Sequence, residues 1–116
     1  MNIIKYGKGI CYSGYRDGQS PISKKYPTYE QVKEDLLILE GNFDYIRMYD
    51  PSQHAKTTLE VIRKEKLSFK VLIGIDVLGE VSNNKCEWGG TLTEQQIKTN
   101  ISVNNNQIKE LINLAN

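Results

Sequence analysis

The 116 residues include two cysteines, one histidine, one tryptophan and three prolines. Two cysteines, Cys11 and Cys86, are too few for a disulfide framework and lack zinc-ligand spacing. One bridge between them requires Cα atoms within about 7 Å; two free buried thiols are the plainer expectation. A single histidine among scattered acids makes no metal constellation, so neither a metal nor a cofactor is expected. Gly7-Lys8-Gly9 is a short glycine-rich run, but it precedes a strand and no Lys-Ser/Thr follows, unlike a phosphate loop. Charge of one sign is also missing. The net charge of +1 gives no electrostatic case for nucleic acid or an anionic membrane. The longest apolar runs are too short to span a bilayer. No apolar stretch follows Met1–Lys5, so no secretory signal is visible, and a cytoplasmic location is expected if Met1 is the true start.

Hydrophobic residues at 39% and charged residues at 25% are those of an ordinary globular domain with a modest core. The most informative stretch is Phe43-Asp44-Tyr45-Ile46-Arg47-Met48-Tyr49-Asp50, closed by Pro51. It predicts a strand with Tyr45, Arg47 and Tyr49 on one face and Ile46 and Met48 on the other. An arginine and two tyrosines on one face of a buried strand require a pocket or a hydrogen-bonded core. Two further strands are predicted, at Gly9–Ser13 and at Phe69–Ile75. The nearly continuous apolar run of the latter suits a parallel strand covered on both faces.

Helices separate these strands. Thr28 with Gln31 has capping-box spacing, and Val32, Leu36, Leu37 and Leu39 form a stripe that Gly41 ends. Ser52 is positioned to cap a second helix running to about Lys66, with Leu59, Val61 and Ile62 on its buried side. Thr93 with Gln96 repeats the capping box, and Ile97, Ile101, Ile108, Leu111, Ile112 and Ala115 mark the inner face of a final helix. The order strand-helix three times over predicts an α/β fold with parallel strands. Long loops, at 14–27 and 76–92, follow the first and third strands, where α/β folds bind ligands. A (β/α)8 barrel of about 250 residues averages about 31 per unit, so the length matches the first three βα units of a barrel, one truncated domain without a second.

Candidate chemistry clusters at the strand ends. Asp50, Asp76 and Glu80 are carboxylates on that face, and glycoside hydrolysis needs two, about 5–10 Å apart. The alternative is that they are loop caps or solvated charges. Cys11 and His54 fall on the same side of the sheet and form a conceivable nucleophile pair. The plainer reading is a buried thiol and a histidine at a helix start. Asp50, Ser52 and His54 include triad residue types, but Ser52 as an N-cap explains that run better. Tyr12, Tyr15, Tyr49 and Trp88 lie at strand ends or in the long loops. Flat rings with polar tips suit a sugar's apolar face and hydroxyl rim. Arg16, Asp17, Arg47 and Asp50 could hydrogen-bond those hydroxyls.

These residues also carry a resemblance. Gly9-Ile10-Cys11-Tyr12-Ser13-Gly14-Tyr15-Arg16-Asp17-Gly18-Gln19-Ser20-Pro21 resembles the opening of bacterial members of glycoside hydrolase family 17. Tyr29–Leu36, Ile46–Asp50, Glu80–Asn84 and Cys86–Gly90 continue it in order. The resemblance implies a (β/α)8 barrel that cleaves β-1,3-glucan with retention of configuration. It implies that Tyr12, Tyr49 and Asp50 line the pocket and that Trp88 belongs to the loop bordering it. The family's acid/base glutamate follows an asparagine on the fourth strand, and its nucleophile lies on the seventh. This sequence has no Asn-Glu pair, so none of its residues is expected to be catalytic and the chain alone is expected to be inactive. The expected partner is a β-glucan oligosaccharide or polysaccharide, with self-association through an unclosed barrel. The alternative is a non-catalytic carbohydrate-binding or scaffold α/β domain.

Overall fold

A computed structural model describes residues 5–85 and 90–116. Cys86 and Trp88 lie outside the described residues. The elements are β1 (Gly9–Cys11), α1 (Tyr29–Leu39), β2 (Tyr45–Met48), α2 (Gln53–Lys64), β3 (Lys70–Ile73) and α3 (Glu94–Ala115). The expected α/β alternation is present, with each strand shorter than its apolar run. The chain divides into two compact units, Met1–Gly74 and Ile75–Asn116.

The first unit holds a parallel sheet in the order β1-β2-β3. Ile10, Ile46 and Val71 sit side by side in register, as do Cys11, Arg47 and Leu72. The ladder runs one residue past each strand end, through Tyr12 N–H to Arg47 O and Gly74 N–H to Met48 O. The period-2 reading of Phe43–Asp50 holds: Ile46 and Met48 are buried, whereas Arg47 and Tyr49 are exposed.

Both helices of this unit pack on the Ile46/Met48 face. Val32 and Leu36 of α1, Ala55 and Val61 of α2, and Tyr12 and Phe69 beside the strands complete one core. α1 starts where the sequence predicts. Gln31 N–H donates to Thr28 Oγ1 at 3.3 Å, and Thr28 N–H donates to Gln31 Oε1 at 3.0 Å. Two orphan donors of the first turn are thereby satisfied. Gly41, at φ +85°, turns the chain out of the helix in a conformation that costs a glycine little.

Three expectations need correction. Leu37 does not join the buried stripe of α1; it is exposed, because Val32 and Leu36 already face the sheet. β3 is covered on one face only. Val71 and Ile73 pack on the core, while Lys70 is exposed and Leu72 is 53% exposed. Cys11 is likewise a free but exposed thiol, since it alternates with Ile10 and Tyr12 and falls on the uncovered face.

In the second unit, α3 opens on the predicted capping box, Thr93 with Gln96. Its expected apolar face is not buried: Ile101, Ile108 and Ile112 are exposed, and Asn104 is the buried residue. The reason is a polar clasp along one side of the helix. Asn104 accepts Leu78 N–H at 2.9 Å and donates to Leu78 O at 2.8 Å. Gln107 does the same for Asp76, at 2.8 and 2.7 Å, and Asn100 donates to Gly79 O at 2.8 Å. Residues 100, 104 and 107 recur at helical spacing on one face, and they satisfy the backbone of a loop that has no ladder of its own.

Burial makes adjacent leucines unequal. Leu36→Ala is expected to lower unfolding free energy by about 2–5 kcal/mol in urea titration. Leu37→Ala is expected to change it by less than about 0.5 kcal/mol. Equal losses in the two variants would refute this placement of α1.

Candidate functional site

The loop after β1 is fastened before it can wander. Tyr12, the first residue past β1, donates its hydroxyl to Asp35 Oδ2 at 2.8 Å. Arg16 grips the same carboxylate with both arms, Nη1 to Oδ2 at 2.9 Å and Nη2 to Oδ1 at 2.8 Å. It also donates to Gly14 O and Gln31 O, at 2.9 and 3.2 Å. A bidentate guanidinium–carboxylate pair fixes orientation as well as distance. Gly14 sits inside this arrangement. A Cβ there would collide with the Tyr12 hydroxyl and come within 2.8 Å of Asp35 Oδ2, so the loop requires glycine at this position.

Gly14 also ties the loop to α2. Its N–H donates to His54 Nε2 at 3.0 Å. The His54 ring lies 5.2 Å from the Tyr12 ring and 5.0 Å from the Tyr15 ring, centroid to centroid. Ser52 precedes α2 as its N-cap but makes no side-chain capping bond, contrary to the sequence expectation. Its N–H instead donates to Asp50 Oδ1 at 3.2 Å. The Asp50 carboxylate, two residues past β2, thus helps set the start of α2.

These fastenings leave a pocket of about 150 Å³ at the carboxyl ends of β1 and β2. Tyr12, Ser13 and Tyr15 line it from the β1 side, with Pro21 from farther along the loop. Met48, Tyr49 and Asp50 line it from β2, and Ser52 and His54 from the start of α2. Strand ends are the position at which α/β sheets bind ligands, because loops there can vary without disturbing the core.

Four of the sequence-predicted site residues, Tyr12, Tyr15, Tyr49 and Asp50, therefore share one pocket. Two others are engaged elsewhere: Arg16 grips Asp35, and Arg47 stacks over the Tyr49 ring at 5.1 Å on the uncovered face of the sheet. Trp88 falls outside the described residues. Asp76 and Glu80 belong to the second unit, where Glu80 Oε1 accepts Asn104 Nδ2–H at 3.1 Å. Sequence reasoning missed the pocket roles of Ser13, Pro21, Met48 and Ser52. His54 enters the sequence reading as a partner for Cys11 and as one of the triad types Asp50, Ser52 and His54, not as a pocket residue. Its signal was its place in the first helical turn after β2, where a side chain reaches back over the strand end.

Electrostatics separates Cys11 from His54. Hydrogen bonding from Tyr49, then the Arg47 guanidinium, holds the Cys11 thiol below its usual range. His54 is instead buried between the tyrosines, 3% exposed. Burial pushes its pKa down, while Asp50 and Asp35 pull the other way, so it is neutral at pH 7. The two are not a nucleophile–base pair: His54 Nε2 is already taken by Gly14, and the thiol's partners are Tyr49 and Arg47. Burial raises the pKa of Tyr12, and its hydrogen bond to Asp35 adds to this, so that hydroxyl stays protonated. Asp50 is the one carboxylate among the described lining residues, whereas glycoside cleavage needs two. The arrangement can bind a neutral, hydroxyl-rich molecule; the described lining residues do not include a pair of carboxylates.

Burial alone would raise the Asp35 pKa, but the hydrogen bonds from Arg16 and Tyr12 together outweigh it and hold the carboxyl below its ordinary range. A depressed carboxylate contributes stability that is complete above the unfolded value of about 3.9 and is lost as pH falls through the folded value. Asp35→Asn is expected to be less stable at pH 7 and to show a flatter loss of stability below about pH 4 in acid titrations followed by circular dichroism. An unchanged acid transition would contradict the role given to Asp35.

No protein-family model matches this chain, and neither curated proteins nor solved structures include one that matches it.

Proposed function

We propose that the first unit is the amino-terminal wall of a β-1,3-glucan-binding cleft in a family 17-like (β/α)8 hydrolase, and that the glutamates which cleave the glucan lie outside this sequence. The observation that carries the reading is the pocket beyond β1 and β2. Tyr12 and Tyr15 offer ring surface there, and Asp50, Ser13 and Ser52 offer hydrogen bonds. Such a mixture suits a pyranose, which has apolar C–H faces and a rim of hydroxyls. No lysine or arginine is among the described lining residues, which disfavours phosphate and carboxylate ligands.

Two features of the sheet support a barrel. Successive strands are parallel neighbours in the order β1-β2-β3, as successive strands of a barrel are. The face opposite the helices is exposed and carries Cys11, Arg47, Lys70 and Leu72, the face that points into a closed barrel. An exposed face with sheet edges also favours self-association of the isolated chain.

The chain is expected to bind laminaritetraose saturably in calorimetric titration, with affinity about tenfold lower in Tyr15→Ala through loss of ring contact. Incubation with laminarin is expected to release no reducing sugar. Release in proportion to protein concentration would contradict the assignment of the catalytic glutamates to residues outside this sequence, and absence of binding would contradict the cleft itself.

A further inference from the structure

The bond between Gly14 and His54 exists in one charge state only. Gly14 N–H donates to His54 Nε2 at 3.0 Å, and a ring nitrogen accepts only through its lone pair, so the neutral ring carries its hydrogen on Nδ1. An imidazolium has hydrogens on both nitrogens and no lone pair left. A charged His54 and the Gly14 bond therefore exclude each other. The rest of the ring's surroundings give a charge little support. Nδ1 is buried without a hydrogen-bond partner among the described residues, and the residue is 3% exposed. The titratable groups that face the ring are Asp50 after β2, Asp35 on α1, and Tyr12 and Tyr15, whose rings pack against it from the segment after β1. Asp35 is already paired with Arg16, and α2 itself has no acid in its first turn. Burial outweighs both carboxylates and leaves the ring's pKa below the ordinary histidine value.

We propose that His54 is a positioning residue and a pH-sensitive latch of the pocket: the neutral ring holds Gly14, and with it the Ser13–Tyr15 wall, and the protonated ring releases them. The latch is independent of the carbohydrate reading, since no ligand enters it. Its sign follows from the depressed pKa. The latch's contribution is complete above about 6.5, the value that the ring regains in a released loop, and is lost as pH falls through the folded value. A second fastening limits what moves. Tyr12 and Arg16, on either side of Gly14 in the chain, both hold Asp35. That carboxyl stays charged to below the ordinary carboxylate range, so its bonds begin to fail only below about pH 3.9. The two fastenings thus have separate windows, His54 first and Asp35 later. The segment between them is centred on a glycine, whose peptide turns more freely than any other. Ser13 and Tyr15 line the pocket on either side of it, so turning the Gly14 amide away from the ring moves two of the pocket's walls.

NMR titration of the full wild-type chain with acid tests the latch without relying on any variant's folding. His54 is the single histidine, so its ring resonances are unambiguous. They are expected to show the Nδ1–H tautomer at pH 7 and one titration with a midpoint below about 6.5. The Gly14 amide is expected to move with the same midpoint. Its exchange protection, corrected for the intrinsic pH dependence of exchange, is expected to fall about tenfold across that midpoint, while the Asp35 side-chain resonances change only at lower pH. His54→Gln, whose side-chain oxygen can accept from Gly14 at any pH, is expected to remove the step in the Gly14 titration. A Gly14 amide that does not respond while the ring titrates overturns the latch. So does an Nε2–H tautomer at pH 7, a ring that stays neutral until the whole chain unfolds, or a step that persists in folded His54→Gln. These measurements contain no sugar, so failure of the latch leaves the carbohydrate reading standing, and failure of laminaritetraose binding leaves the latch standing.

Discussion

Asp35 is the carboxylate on which three segments converge. It sits on α1 beside the buried Leu36, and it receives the hydroxyl of Tyr12 from the end of β1 and both arms of Arg16 from the following loop. That convergence acts together with the Gln19 side chain, which donates to Gln31 Oε1 at 2.9 Å, and with the Tyr15 ring against His54 to return the run from Gly14 to Pro27 to the sheet and helices. With it, Gly14 is held where its N–H meets His54 Nε2, and the loop is joined to α2 as well as to α1. The pocket is what remains between these fastenings. Several of its walls are tied to regular elements, through Tyr12 to Asp35 and Gly14 to His54, and a pre-ordered wall avoids spending affinity on ordering loops.

The consequence for chemistry follows from which polar groups are used up. Asp35, Arg16 and the Tyr12 hydroxyl are consumed by one another, so they hold the site without taking part in it. Asp50, Tyr49, Ser13 and His54 line a cavity at the strand ends. Serine hydroxyls, a carboxylate acceptor and tyrosine rings form a set suited to recognising hydroxyls.

Much of this was legible in the residues. The capping boxes at Thr28 and Thr93 were readable because each involves two side chains three positions apart, and the alternation of Ile46 and Met48 against Arg47 and Tyr49 is a property of any strand. Tyr12, Tyr15, Tyr49 and Asp50 could be grouped because all fall just past strand ends. What was not legible depends on contacts distant in the chain. Asp35 looks like any exposed helical acid until Tyr12 and Arg16 reach it, across 23 and 19 positions. The histidine's role depends on Gly14, 40 positions away. On α3 the periodic isoleucines promised a buried face, but the asparagines and Gln107 made the closer contacts because they could satisfy a loop backbone. Hydrophobic periodicity says which face can be buried; it does not say whether a partner covers it.

The central claim is that the ends of β1 and β2 form a sugar site. Amide-resolved NMR titration of the isotopically labelled chain with laminaritetraose tests it most directly. The account predicts saturable shifts concentrated at Tyr12–Tyr15 and Tyr49–His54, with Leu37 and Ile38 on the outer side of α1 unmoved. Saturable shifts confined to Cys11, Arg47 and Leu72 on the uncovered face, or no shifts at saturating sugar, would contradict it.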